Sequence, residues 1–359
     1  MNILYLSRTM GQGGAEKVVY QLCKDSSIPQ KKIVASTGGN HVQSLKEIGV
    51  KHYLIPDLAS KNPLNIIRTL RILSRLIKVQ KIDIIHTHHR MAAFYARILQ
   101  LRFKNLKHVY TAHNVFYDKK YLLKFALKNA VIVACGDTVK DNLIKFYNID
   151  PKQIHVIYNS VEKPVESESE NRIASRLLPG NGSYYIGNIG RLSYQKGIDV
   201  FIKAIAKTVK VKPKIVGVII GDGNERARLE KLTRQLNIKN NIMFLGYQNK
   251  VFPLLKRLQF VVLSSRWEGF PLTPIETFAC QKTIIVSNIK NNLEIVNPTF
   301  NGLSFKKNDA SDLAQKILLM INRKSKFEKN AYLSYNKYFS YNSFIKKYDD
   351  IYSNVMFDD

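Results

Sequence analysis

The chain is poor in cysteine, in acidic residues and in long apolar runs, and each shortage removes a class of protein. Its three cysteines, Cys23, Cys135 and Cys280, share no short spacing. That excludes a disulfide framework and a C-x-x-C metal knuckle, and it fits a reducing, cytoplasmic setting. No window approaches the run of about 18 apolar residues that spans a bilayer. The start, Met1-Asn2-Ile3-Leu4-Tyr5-Leu6-Ser7, has neither a basic segment nor a long apolar one, so an exported or integral protein is not expected. Acidic residues number 27 against 56 lysines and arginines, a formal charge of +29. A field of that sign attracts polyanions: nucleic acid, anionic lipid or phosphorylated small molecules. The first 165 residues carry more than their share of it. Asp-x-Asp, the carboxylate pair that would bridge a divalent ion to a diphosphate, occurs nowhere.

What is present is an ordinary globular composition, 45% hydrophobic, which excludes disorder for the bulk of the chain. A length of 359 residues suits two domains of roughly 150 to 200 residues each. Short β-branched runs alternate with amphipathic stretches of helical period, the pattern of repeated βαβ units, so the fold class is α/β with parallel sheets. Strands are expected at Ile3 to Ser7, Lys32 to Ser36, Ile82 to His86, His108 to Ala112, Val131 to Cys135 and His155 to Tyr158. After the polar run Glu162 to Glu170, the pattern restarts at Tyr184 to Gly190. It continues at Lys214 to Ile220, Ile242 to Leu245, Phe260 to Ser264 and Thr283 to Ser287. The expected division is a first domain over 1–165, a linker over 166–182, a second domain over 183–338 and a C-terminal helix over 339–359. In that helix Phe344, Tyr348 and Tyr352 recur every four residues.

Open parallel sheets bind ligands beyond the carboxyl ends of their strands, and the informative motifs stand there. Gly190-Arg191-Leu192-Ser193-Tyr194-Gln195-Lys196-Gly197 follows an expected strand. Its Arg and Lys can converge on one diphosphate, the Arg as a bidentate fork and the Lys as a compact charge. Arg266-Trp267-Glu268-Gly269-Phe270-Pro271-Leu272-Thr273-Pro274-Ile275-Glu276 follows another. Two glutamates there bracket a Gly/Pro loop opening a helix, whose N–H groups suit a phosphate. Thr273-Pro274-Ile275-Glu276 reads equally well as a helix capping box. His86-x-His88-His89 invites a metal reading, but no carboxylate or Cys stands beside it at ligand spacing.

Five of these motifs, in order, resemble family 4 glycosyltransferases of the GT-B fold: Gly13-Gly14-Ala15-Glu16, Thr111-Ala112-His113-Asn114, Gly190-Arg191 with Lys196-Gly197, Gly221-Asp222-Gly223, and Glu268-x7-Glu276. The resemblance runs from Ile3 to about Val296 and is to enzymes of bacterial surface-polysaccharide assembly. It implies two Rossmann-like domains facing a cleft, with the C-terminal helix crossing back to the first. It implies that Arg191 and Lys196 hold the donor diphosphate and neutralise its growing charge. Glu276 would bind the ribose, while Glu268 with Gly269, Phe270, Pro271 and Leu272, beside Gly190, would contact sugar and phosphate. His113 would stand near the reacting centre, Gly13 and Gly14 would admit phosphate or acceptor, and His88, His89 and Asn114 would line the acceptor side. The implied reaction is retaining transfer of a hexose or N-acetylhexosamine, from a UDP-sugar rather than GDP-mannose, to a glycan or lipid-linked saccharide in lipopolysaccharide, O-antigen or capsule assembly. Neither cofactor nor metal is implied.

The chain departs from the family where Gln281-Lys282-Thr283 follows Cys280 in place of Gly and Pro, where Lys290-Asn291 replaces a Gly pair, and where Ser160 follows Asn159. A GT-B nucleotide-sugar epimerase is a rival reading, as is a non-catalytic basic protein, though aromatics interleaved for nucleic acid are lacking. A dinucleotide oxidoreductase would rest on Gly11-Gln12-Gly13-Gly14, which lacks the third glycine. Arg68, Arg71, Arg75 and Lys78 on Leu64 to Gln80, and Lys120, Lys124 and Lys128 further on, form basic helix faces suited to an anionic bilayer.

Overall fold

The computed structural model describes every residue except Gln12, Pro164, Glu166, Asn181, Asp358 and Asp359. The chain divides into two compact units, Met1–Asn159 with Asn342–Asp359, and Ser160–Tyr341.

The first unit is built on seven strands: β1 (Asn2–Leu6), β2 (Lys31–Ser36), β3 (Lys51–Leu54), β4 (Ile84–Thr87), β5 (Lys107–Ala112), β6 (Val131–Ala134) and β7 (Ile154–Val156). They pair in parallel in the order β3-β2-β1-β4-β5-β6-β7. Strands such as β1 and β4 are buried almost throughout, because helices cover both faces of a parallel sheet. The second unit holds β8 (Tyr184–Ile189), β9 (Ile215–Ile220), β10 (Ile242–Gly246), β11 (Phe260–Leu263), β12 (Ile284–Ser287) and β13 (Gly302–Phe305). Their order is β10-β9-β8-β11-β12-β13, again parallel. Its core packs Phe201 and Ile205 of the helix Ile198–Thr208 with Phe260, Ile285 and Ile317. In each sheet the strand order reverses beside its first strand, which opens a crevice between the loops after β1 and β4, and between those after β8 and β11.

Two strands escape the sequence reading. β3 is a short edge strand of mixed polarity, Lys-His-Tyr-Leu, and β13 opens on a glycine, so neither shows the apolar run that marks a buried strand. The expected linker 166–182 is also corrected. Glu168–Leu177 is a helix of the second unit with Ala174 buried. Arg257 ties it down through Nε to the Leu178 carbonyl at 2.6 Å and Nη1 to Ser175 Oγ at 3.0 Å. The apolar stripe Ile173, Ala174, Leu177, Leu178 lies past the Glu/Ser run that suggested a linker; Pro164, Glu166 and Asn181 fall outside the described residues.

The helix Tyr341–Phe357 contributes residues from Asn342 onward to the first unit. Phe344, Tyr348 and Tyr352 are buried there. The Asp349 carboxylate accepts from Ser26 Oγ, from Ser27 N at 3.1 Å and from Ser27 Oγ at 2.9 Å. Among the described residues no helix is long and apolar enough to cross a membrane.

Candidate active site

In the second unit the loops after β8 and β11 are stitched together. Gly197 leaves the first loop at φ +60, and a Cβ there would stand 2.2 Å from the Ser264 carbonyl. Only glycine permits both the left-handed turn and that approach. Ser264 Oγ donates to the Lys196 carbonyl at 3.0 Å and accepts from Asn188 Nδ2 at 3.0 Å. Arg266 stacks over the Tyr194 ring at 4.1 Å. Its Nη1 reaches the Tyr194 carbonyl at 2.6 Å and its Nη2 reaches Asp199 Oδ2 at 2.8 Å. Arg266 holds the Asp199 carboxyl below the usual range, against a burial effect that raises it.

That stitching brings Lys196 and Glu268 together. Lys196 Nζ lies 2.6 Å from Glu268 Oε1, an oxygen that also accepts from Ser265 Oγ at 2.5 Å. Ser265 is held in turn through its carbonyl by Ser287 Oγ at 2.5 Å. Glu268 is buried, while Lys196 lies partly open with its methylenes against Gly190. Arg191 is exposed on the same loop.

Gly269, Phe270 and Pro271 are buried, and Leu272 begins the helix Leu272–Ala279. Pro271 is its N-cap, so Thr273 lies inside the first turn and Thr273 with Glu276 makes no capping box. Glu276 stands half-buried one turn along that helix. Two family departures acquire a physical meaning here. Asn291 sends Nδ2 to the Gly269 carbonyl at 2.6 Å, fixing the loop after β11 from the segment that follows the neighbouring strand β12. Gln281 adopts φ 58 at the end of the helix, the place where glycine is usual.

In the first unit Gly13 caps the helix Gly14–Asp25, and Gly14 is exposed. A Cβ at Gly13 would stand 2.1 Å from Glu16 Oε2. The Glu16 carboxylate therefore folds back over the helix start, where Thr9 Oγ1 donates to it at 2.6 Å. His86 lies within β4, bonded through Nδ1 to Tyr352 Oη and through Nε2 to Thr111 Oγ1, both at 2.8 Å. His88 is buried under His113, with Nδ1 to Nε2 at 2.9 Å. Burial pushes His113 down to about 4 and holds His86 and His88 well below the ordinary histidine value. Two neutral imidazoles thus share one proton across that bond. His88 Nε2 and His113 Nδ1 are buried without a hydrogen-bond partner among the described residues. His89 accepts from Met91 N at 3.2 Å as N-cap of the helix Arg90–Arg102, and Asn114 is exposed. Only Asn114 of the three expected acceptor-side residues thus stands clear; His88 supports and His89 caps. Nothing in the sequence points to Ser265, Asn291 or the Tyr352 hydroxyl in these roles: Ser265 is a common polar residue three positions from Glu268, while Asn291 and Tyr352 reach partners 22 and 266 positions away. Among the described residues no three His, Cys, Asp or Glu side chains group as metal ligands.

Two family models cover this chain. Residues 169–338 match "Glycosyl transferases group 1" and residues 12–163 match "Glycosyltransferase Family 4". The chain is a family 4 glycosyltransferase. The transferase is 29% identical over 278 residues to the Escherichia coli UDP-Gal:alpha-D-GlcNAc-diphosphoundecaprenol alpha-1,3-galactosyltransferase, covering 72% of each chain. It is 23% identical over 301 residues to a Campylobacter jejuni N-acetylgalactosaminyltransferase acting on a diphospho-undecaprenol saccharide, covering 79% of this chain and 80% of that one. Its fold matches Anabaena HepE in complex with UDP, at a TM-score of 0.86 and 19% identity, over 99% of this chain and 100% of HepE. The two parallel sheets with their helices are therefore those of a GT-B transferase.

Proposed function

We propose that the transferase moves a hexose or N-acetylhexosamine, with retention of configuration and without a metal ion, from a UDP-sugar to a lipid-linked saccharide. Assembly of a surface polysaccharide such as lipopolysaccharide, O antigen or capsule, at the inner face of the cytoplasmic membrane, is the setting that suits this reaction. The observation that carries the reading is the convergence of Lys196 and Glu268 at the carboxyl ends of β8 and β11, at 2.6 Å, with Arg191 exposed on the same loop. A leaving diphosphate gains negative charge as the sugar departs, and fixed cations aimed at it lower the barrier because they need no reorganisation. Arg191 and Lys196 supply those cations. Glu268, anchored by Ser265, accepts from sugar hydroxyls, Glu276 accepts from the ribose, and the backbone N–H groups of Gly269, Phe270 and Leu272, Pro271 having none, serve the phosphate. His113 is neutral and takes a hydrogen bond without adding charge. With the Glu16 carboxylate over Gly13, that helix start suits a hydroxyl of the acceptor better than a phosphate, which the carboxylate would repel. Retention follows from attack on the face the diphosphate leaves, its oxygen taking the acceptor's proton. The relatives that name UDP-galactose and diphosphoundecaprenol support the donor and acceptor classes.

The test is transfer from a panel of UDP-hexoses, UDP-N-acetylhexosamines and GDP-mannose to a polyprenyl-diphosphate saccharide in excess EDTA. An α-linked product from one UDP-sugar is expected. A β-linkage seen by NMR would overturn retention, turnover only after adding magnesium or manganese would overturn metal independence, and no transfer from any donor would overturn the whole reading.

A further inference from the structure

His88 and His113 are each the first residue beyond a strand, and the strands, β4 and β5, are neighbours in the sheet. That places the two imidazoles side by side, with Nδ1 of His88 2.9 Å from Nε2 of His113 and the ring planes 20° apart. His88 is held from its other side as well. Its ring centroid stands 4.1 Å from that of His86 and 6.2 Å from that of Tyr5. His86 is fixed in its turn, because both of its nitrogens are engaged, one by Tyr352 and one by Thr111, whose hydroxyl also meets that of Tyr348 at 3.1 Å. The chain's last helix, which carries both tyrosines, thus sets the orientation of His88 from beneath.

A bond between two imidazole nitrogens needs an N–H on one and a lone pair on the other, and a neutral imidazole carries a single N–H. Two arrangements satisfy that. If His113 donated from Nε2, the N–H of His88 would have to sit on its own Nε2, a buried atom without a hydrogen-bond partner among the described residues, in a residue that is 5% exposed. A buried N–H without an acceptor is rarer, and costs more, than a bare lone pair. If His88 donates from Nδ1 instead, its Nε2 keeps only a lone pair, and the remaining N–H falls on Nδ1 of the half-buried His113. That Nδ1 also lacks a partner among the described residues. A substrate oxygen can supply one at His113, where it cannot at His88.

We propose that His88 is a positioning residue: by donating from Nδ1 to His113 Nε2 it holds His113 as the tautomer with its proton on Nδ1, so that His113 presents a hydrogen-bond donor, rather than a lone pair, to a substrate oxygen. His113 takes its hydrogen bond from within the protein and gives one outward. The proton of one ring nitrogen is placed by what the other nitrogen meets, and here that partner is itself backed by His86 and Tyr352. The consequence for the reaction rests on the proposed role of His113 at the reacting centre; the tautomer itself does not.

The experiment begins with the unaltered full chain carrying isotopically labelled histidine. Proton–nitrogen NMR spectra near neutral pH, with the His113 signals assigned by their loss in His113→Asn, show which ring nitrogen bears the proton. A proton on Nδ1 is expected, and one on Nε2 overturns the proposal whatever the activity. Two variants then separate the donor from the bulk of the ring. Asn and Leu have nearly the same outline, and an Asn Nδ2 stands where His88 Nδ1 stood. With the UDP-sugar that turns over fastest in the donor panel, His88→Asn is expected to keep kcat within about threefold, and His88→Leu to lower it at least about tenfold. Calorimetry should find the affinity for UDP alone unchanged in both, since Arg191 and Lys196 of the second unit are untouched. A Leu variant as active as the Asn variant, or an Asn variant as impaired as the Leu, overturns the proposal, because packing alone would then account for His88. The NMR result comes from a chain with His88 in place, so it decides even where a variant fails to fold. A chain that turns over no UDP-sugar counts against the transferase reading, while the tautomer of His113 is still read.

Discussion

Glu268 is buried and shares one oxygen between Lys196 and Ser265, so changes at this pair separate charge from shape. Lys196→Met keeps the aliphatic stem on Gly190 while removing the cation, and kcat is expected to fall roughly 10²-fold or more, as for loss of one preorganised donor. Glu268→Gln retains the contacts, so activity should drop with little change in melting temperature. A Lys196→Met enzyme that turns over normally would remove the electrostatic role. The buried histidines give a pH dependence. Burial lowers His113 to about 4 and His108 to about 3, so the folded first unit refuses protons that the unfolded chain accepts. Above the ordinary value near 6.5 both states are neutral and nothing is lost. As pH falls below it, stability falls by up to about 1.4 kcal/mol per unit for each such histidine, until the folded value is reached. Urea midpoints measured from pH 7 to 4.5 should decline, and His108→Asn should flatten the slope; a constant midpoint would contradict it.

At the scale of elements, the helix Leu272–Ala279 ends in a Schellman turn, with Lys282 N on the Thr277 carbonyl and Gln281 N on the Phe278 carbonyl, both at 3.0 Å. The turn requires Gln281 at φ 58, a conformation that costs a residue with a Cβ roughly 1–2 kcal/mol. Gln281→Gly relieves this while loosening the unfolded chain, for a net gain of about 0.5–1 kcal/mol. Calorimetry should show a higher melting temperature, and a lower one would mean the side chain has a packing role. This departure from the family was visible in the sequence; that it is strained, while Asn291 instead forms a new tie to Gly269, was not. Most strands were legible because a buried parallel strand is a continuous apolar run. β3 and β13 were not, being four residues each with a polar or glycine start. The helix Glu168–Leu177 was masked by its polar first turn.

For the molecule as a whole, the chain's last helix completes the first unit. Deleting residues 342–359 would strip Phe344, Tyr348 and Tyr352 from that core and leave His86 Nδ1 without its partner. Three buried aromatics at about 1.5–3 kcal/mol each, with a buried group unpaired, rival the 5–15 kcal/mol that typically holds a domain. Hydrogen exchange should show β1 and β4 losing protection; protection as in the full chain would assign the helix a lesser part.

By itself the sequence determined the α/β class, the two sheets, the order of the transferase motifs and the basic excess of the first half. All of these are written in short-range periodicity, spacing or composition. Only the tertiary structure decided which side chains meet: Lys196 with Glu268, 72 positions apart, and His86 with Tyr352, 266 apart. It also decided that His88 lies beneath His113 and that the Glu16 carboxylate lies over Gly13. A local pattern states which face of an element is buried. What that face touches depends on the order in which the strands assemble, and no window of the chain contains that order.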